Sequence, residues 1–161
     1  VELSEAYDRI QNLPNKVELW LVGPDEEGFE NIFKSMNNVK FFSFVSNPEV
    51  YMAAADIFCL PSYREGFGTV IIEAAACGLP SIGSNIYGLS DAIIDGKTGL
   101  LTPVKSSKSL ELALKTLITD KNLRYSMGKE ANLRVKKIFP QELLTAELLK
   151  FYKKLIINNE I

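Results

Sequence analysis

The chain has 161 residues, 47% hydrophobic and 24% charged, with a formal net charge of −2. That length suits one domain able to bury a sizeable core, and the near-balanced charge gives no basic face of the kind a nucleic-acid partner requires. With no histidine and only two cysteines, Cys59 and Cys77, the chain holds no Ser-His-Asp or Cys-His nucleophile system, no disulfide framework and no structural zinc site.

The first ten residues read as a helix, with apolar positions 3, 6, 7 and 10 on one face. The expected helix runs over 1–12 and stops near Leu13-Pro14-Asn15. Neither an initiator methionine nor a capping signal precedes it, so the chain reads as a piece cut from a longer protein. A strand over 17–22 is closed by Gly23-Pro24, and residues 25–36 read as a helix with the acidic start that the helix dipole favours. Residues 39–42 form a strand. Asn47 is placed as the cap of a helix over 49–55, with Pro48 at its first position. An apolar strand over 56–60 follows, then a helix over 69–78 and a strand over 80–83. A helical turn over 91–95 and a strand over 99–101 come next, and helices over 107–119, 121–137 and 141–157 complete the chain.

Strands alternating with helices predict an α/β fold, a Rossmann-like parallel sheet with helices on both faces. Val17, Leu19, Leu21, Ile57, Cys59, Ile71 and Ala75 are its expected core. The last helix carries an apolar stripe of Leu143, Leu144, Leu148, Phe151, Tyr152 and Leu155, with Lys150, Lys153 and Lys154 toward the other side. Part of that stripe is expected to stay exposed as a docking face for a parent domain; contact with a membrane surface is the lesser reading. No apolar run is long enough to span a bilayer and no signal peptide is visible. Cysteines in apolar runs fit small core residues in a reducing compartment, so a cytoplasmic location is expected.

The chemistry concentrates in 61–80. Glu65 and Glu73 stand eight residues apart around Gly66-Phe67-Gly68, and Thr69 opens a helix that Gly78 and Pro80 stop. Glycines let a ligand approach the main chain, a helix start offers free amides to phosphate, and carboxylates accept hydrogen bonds from neighbouring hydroxyls. Thr69 and Glu73, four apart, share a helix face. In an α/β sheet, ligands bind beyond the carboxyl ends of the strands, where this loop falls. Alone, either glutamate would be a solvated surface residue. Phe67 is expected to plug the space beneath the loop, Arg64 to be solvated, and Lys97-Thr98-Gly99 to close over the site rim.

Phe58-Cys-Leu-Pro-Ser62 with Glu65-Gly-Phe-Gly-Thr-Val-Ile-Ile-Glu73 resembles the E-x7-E motif of retaining, nucleotide-sugar-dependent glycosyltransferases of the GT-B fold. Ala74-Ala-Ala-Cys-Gly-Leu-Pro80 resembles that family's "EAMACGxP" continuation, and Tyr87-Gly-Leu-Ser-Asp-Ala-Ile-Ile-Asp-Gly-Lys-Thr-Gly-Leu-Leu101 its "GxxEΦΦxxGxTGΦL" segment, where Φ is apolar. Leu19-Trp-Leu-Val-Gly23 and Ala54-Ala-Asp-Ile-Phe58 match two further strand entries. The likeness covers nearly the whole chain, in order.

The resemblance implies that 1–161 is a single nucleotide-sugar-binding domain, the C-terminal half of a two-domain enzyme, truncated at its N-terminus and lacking the acceptor domain. By that likeness Glu65 contacts donor-sugar hydroxyls and is the catalytic candidate. Gly66, Phe67, Gly68 and Thr69 offer amides to the distal phosphate or sugar, Glu73 holds the ribose, and Val45 meets the base. No metal and no cofactor are implied; the donor is a nucleotide diphosphate sugar, with a UDP-sugar favoured. The "YGLSDAI" variant resembles enzymes of bacterial capsule, lipopolysaccharide and linked-glycan synthesis, and peripheral membrane association of the full-length enzyme is a further expectation. Three features depart from the family pattern. The diphosphate-neutralising Arg and Lys would lie upstream of Val1, Ser43 stands where many relatives have Gly, and Asp91 replaces a Glu. A nucleotide-sugar epimerase of the same fold and a non-catalytic nucleotide-sugar module are the alternatives; a dinucleotide-binding domain would want G-x-G-x-x-G after the first strand, which Gly23-Pro24-Asp25 does not supply.

Overall fold

The computed structural model describes residues 1–14, 16–25 and 28–157. In chain order the elements are α1 (Glu2–Ile10), β1 (Leu19–Val22), α2 (Glu30–Phe33), β2 (Val39–Phe42), α3 (Pro48–Ala54), β3 (Phe58–Leu60), α4 (Thr69–Ala76), β4 (Ser81–Ser84), α5 (Leu89–Ala92), β5 (Gly99–Thr102), α6 (Ser107–Thr119), α7 (Lys121–Ile138) and α8 (Gln141–Ile157).

All strand pairs are parallel, but the ladder is split. β1 pairs with β2, and β3-β4-β5 form a second sheet with β4 in the centre. The two sheets share one core, because Leu19 and Val39 from the first and Cys59, Ile82 and Leu100 from the second all pack on the cluster formed by α1 and α6. The alternating side-chain direction of a strand divides the second sheet's contacts. Cys59 and Leu100 face α1 and α6, whereas Phe58, Leu60 and Leu101 face the cluster of Ile71, Leu89, Ala92 and Ile93 on the side of α4 and α5. Helices therefore cover both faces, as the alternation of elements predicts.

The expected core needs correction. Ile71 and Ala75 are buried, but Val17, Leu19, Leu21, Ile57 and Cys59 are only partly so. β1 pairs on one side only and β3 is the outer strand of its sheet, so neither is enclosed. The deepest apolar positions include Ala6, Tyr7 and Ile10 of α1, Leu110 and Leu117 of α6, and Ile82 of the central strand β4. Burying a residue such as Leu117 contributes about 1.5–3 kcal/mol. The Tyr7 hydroxyl reaches past the core and donates to the Asn37 carbonyl at 2.8 Å, tying α1 to the entry of β2.

Other boundaries shift for local reasons. The helix expected over 25–36 is described as α2 alone; the Asp25 carboxylate accepts from the amides of Phe29 and Glu30, both at 2.8 Å, so the helix starts behind it. Glu26, Glu27 and Asn15 lie outside the described residues. Asn47 does not cap α3 with its side chain; its carbonyl accepts from the Val50 amide at 3.2 Å instead. The turn expected over 91–95 begins earlier, as α5, and the Asp95 carboxylate is used to accept from the Leu101 amide at 2.8 Å. Ser106 and Asp120, by contrast, cap α6 and α7 with their side chains.

The exposed stripe on α8 is present. Leu148, Phe151 and Tyr152 are half or more exposed and Leu155 is partly buried; the side chains of Leu143 and Leu144 lie outside the described residues. Among the described residues no helix is long and apolar enough to cross a membrane.

Candidate functional site

The carboxyl end of β3 delivers the chain into Pro61, and the loop runs to Gly68, the N-cap of α4. Gly68 is left-handed, at φ 65°, and a Cβ there would stand 2.5 Å from Leu89 Cδ2. On the neighbouring strand, β4 hands on to a loop whose last residue, Gly88, has φ 88° and presses against the turn; a Cβ on it would stand 2.5 Å from the Gly66 carbonyl oxygen. Two loops from adjacent strand ends thus meet backbone to backbone, and only glycines allow it.

That seating places the motif residues as follows. Glu65 is partly buried, while Gly66, Phe67, Thr69 and Glu73 are exposed on the loop and the outer face of α4. No side chain caps α4, and its first described internal contact is the Ile71 amide donating to the Gly68 carbonyl at 2.8 Å. The amides of Thr69 and Val70, ahead of that bond, are left for an anion, with one carboxylate before them and one a turn later. Arg64 makes no ion pair among the described residues, as expected of a solvated side chain.

Phe67 departs from its expected role as a plug. Its ring remains 41% exposed and leans on Phe139, with ring centroids 5.6 Å apart. Beneath Gly68 of the loop lie Leu89 and Ile71 instead. Val45 lies on a different loop. It follows β2 on the other sheet, and among the described residues no hydrogen bond joins it to 61–68. Lys97-Thr98-Gly99 does not close over the site rim. It lies at the amino end of β5, opposite the strand ends that carry the loop. There Lys97 pairs with Glu130 at 3.4 Å, and buried Thr98 accepts from the Ile94 amide at 2.8 Å.

Tyr63 connects the loop to α1, since its hydroxyl donates to the Glu2 carboxylate. The bond holds Glu2 below the usual carboxylate range and raises Tyr63. Both residues line a shallow cleft with Pro61, Ser84, Thr102 and Lys105 at the carboxyl ends of β3, β4 and β5. Neither cysteine is poised as a nucleophile. Burial pushes the Cys59 thiol up to about 12, and burial followed by the Glu49 and Glu73 charges raises Cys77.

Sequence reasoning missed Gly88 as the seat of the loop, together with Tyr63, Arg134 and Phe139. Gly88 lies inside a quoted motif, but nothing local shows which backbone it meets. Phe139 had one signal, its position before Pro140 at a helix boundary.

With that geometry in hand, the comparisons are specific. Residues 1–134 match the family model described as glycosyl transferases group 1. The chain is 29% identical over 165 residues to the capsular polysaccharide biosynthesis glycosyltransferase CapM of Staphylococcus aureus, covering 99% of this chain and 43% of that protein. Among solved structures it is similar to sucrose-phosphate synthase from Thermosynechococcus elongatus, with a TM-score of 0.86 and 30% identity over 98% of this chain and 42% of that one. It is also similar to Anabaena Alr3699/HepE, solved with UDP-glucose, with a TM-score of 0.85 and 25% identity over 96% of this chain and 44% of that one. The chain spans less than half the length of each of these proteins.

Proposed function

Because the chain belongs to the group 1 glycosyltransferases and shares the GT-B architecture of its structural neighbours, we propose that it is the donor-binding half of a two-domain enzyme. The enzyme transfers a sugar, with retention, from a nucleotide diphosphate to a saccharide or lipid-linked acceptor. One observation carries the reading. An uncapped helix start is pinned by Gly88 at the carboxyl end of β3, with Glu65 ahead of it and Glu73 one turn beyond.

In this proposal Glu65 accepts hydrogen bonds from the sugar hydroxyls, and the amides of Gly66, Phe67, Gly68 and Thr69 meet the distal phosphate. Glu73 holds the ribose hydroxyls, and main-chain atoms near Val45 meet the base. Catalysis is chiefly positioning and electrostatic: fixed donors stabilise the diphosphate as it leaves. The leaving charge is met by backbone amides and a basic pair from outside the chain, so the proposal calls on no metal. A UDP-sugar is the favoured donor, supported by the UDP-glucose complex of a structural relative. The exposed face of α8 docks on the acceptor domain; more than half the length of the relatives lies outside the matched region. A cytoplasmic location is part of the proposal, supported by two free cysteines that suit a reducing compartment, and the lysines of α8 allow contact with the inner face of a membrane.

The test uses the full-length protein. Calorimetry with UDP-glucose and UDP is combined with an assay for sugar transfer to added saccharide and lipid-linked acceptors. Glu65→Ala should lower transfer by about 100-fold or more, the scale seen when one preorganised electrostatic contact is removed, while UDP still binds. Failure of the wild-type protein to bind any nucleotide sugar would sink the proposal. Turnover that isomerises the free donor without an acceptor would move the assignment to an epimerase, and binding without turnover to a sensor.

A further inference from the structure

We infer that Phe139 is a positioning residue for the donor loop, setting through Phe67 where the amides of Gly66 to Thr69 stand. The inference rests on the reading of that loop as the donor site. Phe139 caps the carboxyl end of α7, its amide donating to the Val135 carbonyl at 2.9 Å. It belongs to none of the buried apolar clusters among the described residues. One neighbour of its ring is Phe67, in the middle of the glycine turn, 5.6 Å between centroids and tilted by 60°. Another is the Arg134 guanidinium, 5.3 Å from its centroid.

Arg134 is itself held. Its Nη1 donates to the Ala92 carbonyl at 2.9 Å and its Nη2 to the Asp91 carbonyl at 2.7 Å, at the carboxyl end of α5. The other end of α5 begins at Gly88, the residue pressed against the carbonyls of Glu65 and Gly66. The contacts therefore close a circuit. From the loop they pass through Gly88 to α5, from α5 through Arg134 to Phe139, and from Phe139 through Phe67 back to the loop. A glycine-flanked turn has many accessible conformations. Here it is gripped on its main chain by Gly88 and on its one large side chain by Phe139, and Arg134 fixes the spacing between those two grips. A planar cation suits that place, since it can stack on an aromatic face while its edge donates to two carbonyls.

The experiment compares wild-type full-length protein with Phe139→Leu, Phe139→Ala and Phe139→Tyr. Affinities for UDP-glucose and UMP are measured by calorimetry, and the amide resonances of Gly66, Gly68 and Thr69 are followed without ligand. Phe139→Leu and Phe139→Ala should weaken UDP-glucose by about tenfold, the upper end of what one aromatic pair is worth. UMP, which lacks the distal phosphate and the sugar, should bind as before. Phe139→Tyr keeps the ring and should keep the affinity. The three amide resonances should move in the Leu and Ala variants and stay in place in the Tyr variant. Phe139→Leu retains apolar bulk, so it reports even if Phe139→Ala fails to fold. Equal losses for UMP and UDP-glucose would show general damage and overturn the inference. Unmoved amide resonances in Phe139→Leu would overturn it too, and that result needs no donor. Failure of the wild-type protein to bind UDP-glucose would instead strike the functional proposal.

Discussion

Gly88 shows how much of the candidate site depends on a residue that makes no contact through a side chain. A Cβ there would stand 2.5 Å from the Gly66 oxygen and 2.9 Å from the Glu65 oxygen, and φ is 88°. Gly96 is the natural control, with φ 71° and nothing within 4 Å of a Cβ. Gly96→Ala should therefore cost only the strain of a left-handed backbone, about 1–2 kcal/mol. Gly88→Ala adds a clash with two backbone oxygens that have no rotamer to escape into, so it should lower the melting temperature further and weaken UDP-glucose at the same time. Thermal denaturation and calorimetry on both variants check this; equal behaviour of the two would show that the loop is not seated on Gly88. The contrast also explains what the sequence could reveal. Glu65, Gly68, Thr69 and Glu73 lie within one turn and one helix, so their spacing is their geometry. Gly88 and Phe139 act on the same loop from far along the chain, and no local pattern records which backbone or ring they meet.

Among the elements, a single carboxylate joins α6 to α7. Asp120 is the one residue between α6 and α7, at once the C-cap of the first and the N-cap of the second, where its Oδ1 accepts from the Leu123 amide at 2.9 Å. Loss of an N-cap side chain typically costs about 1 kcal/mol. Asp120→Ala should lower the melting temperature by about 2–4 °C, as expected for a domain of this size. Asp120→Asn, which retains a capping oxygen, should lose less, and thermal denaturation of both variants separates the cap from the charge. Such local signals are why the helices over 107–119 and 121–137 are legible in the sequence. How a helix begins is harder to read, even where the deciding contact is local. Asn47 has the composition of a cap but turns its carbonyl to the helix, and α2 starts only behind the Asp25 carboxylate. Strand existence is equally legible from apolar runs, but strand burial is not, because it depends on which neighbours pair. β1, Leu19–Val22, and β3, Phe58–Leu60, are more apolar than the central strand β4, Ser81–Ser84, yet each keeps one unpaired edge and is less buried.

Across the whole molecule, the two sheets are held to one core by α1 and α6, and charged contacts brace that arrangement from outside. Glu111 on α6 takes Lys115 at 2.6 Å and Arg9 of α1 at 3.4 Å. Tyr63 holds Glu2 at the start of α1, and Lys40 holds Glu18 across the first sheet at 2.9 Å. These hydrogen bonds keep all three carboxyls below their ordinary value: Glu111 chiefly through Lys115, Glu2 through Tyr63, and Glu18 through Lys40 and then Trp20. A carboxyl that is more acidic folded than unfolded contributes its stabilisation in full above the unfolded value of 4.5. That contribution is lost as pH falls through the folded value, when the unfolded chain takes up the proton first. With no histidine in the chain, no side chain of ordinary pKa titrates between about pH 5 and 8. The melting temperature should therefore be nearly flat from pH 6 to 8 and fall once the pH passes below 4.5. Repulsion among the remaining positive charges also grows in acid, so the overall fall does not by itself identify these groups. Glu111→Gln does, because it removes the titrating group while keeping its shape. The variant should melt lower than wild type at pH 7, and the gap should narrow as the pH approaches 3. A gap that stays constant with pH would show that the carboxylate charge of Glu111 does not brace α1 against α6.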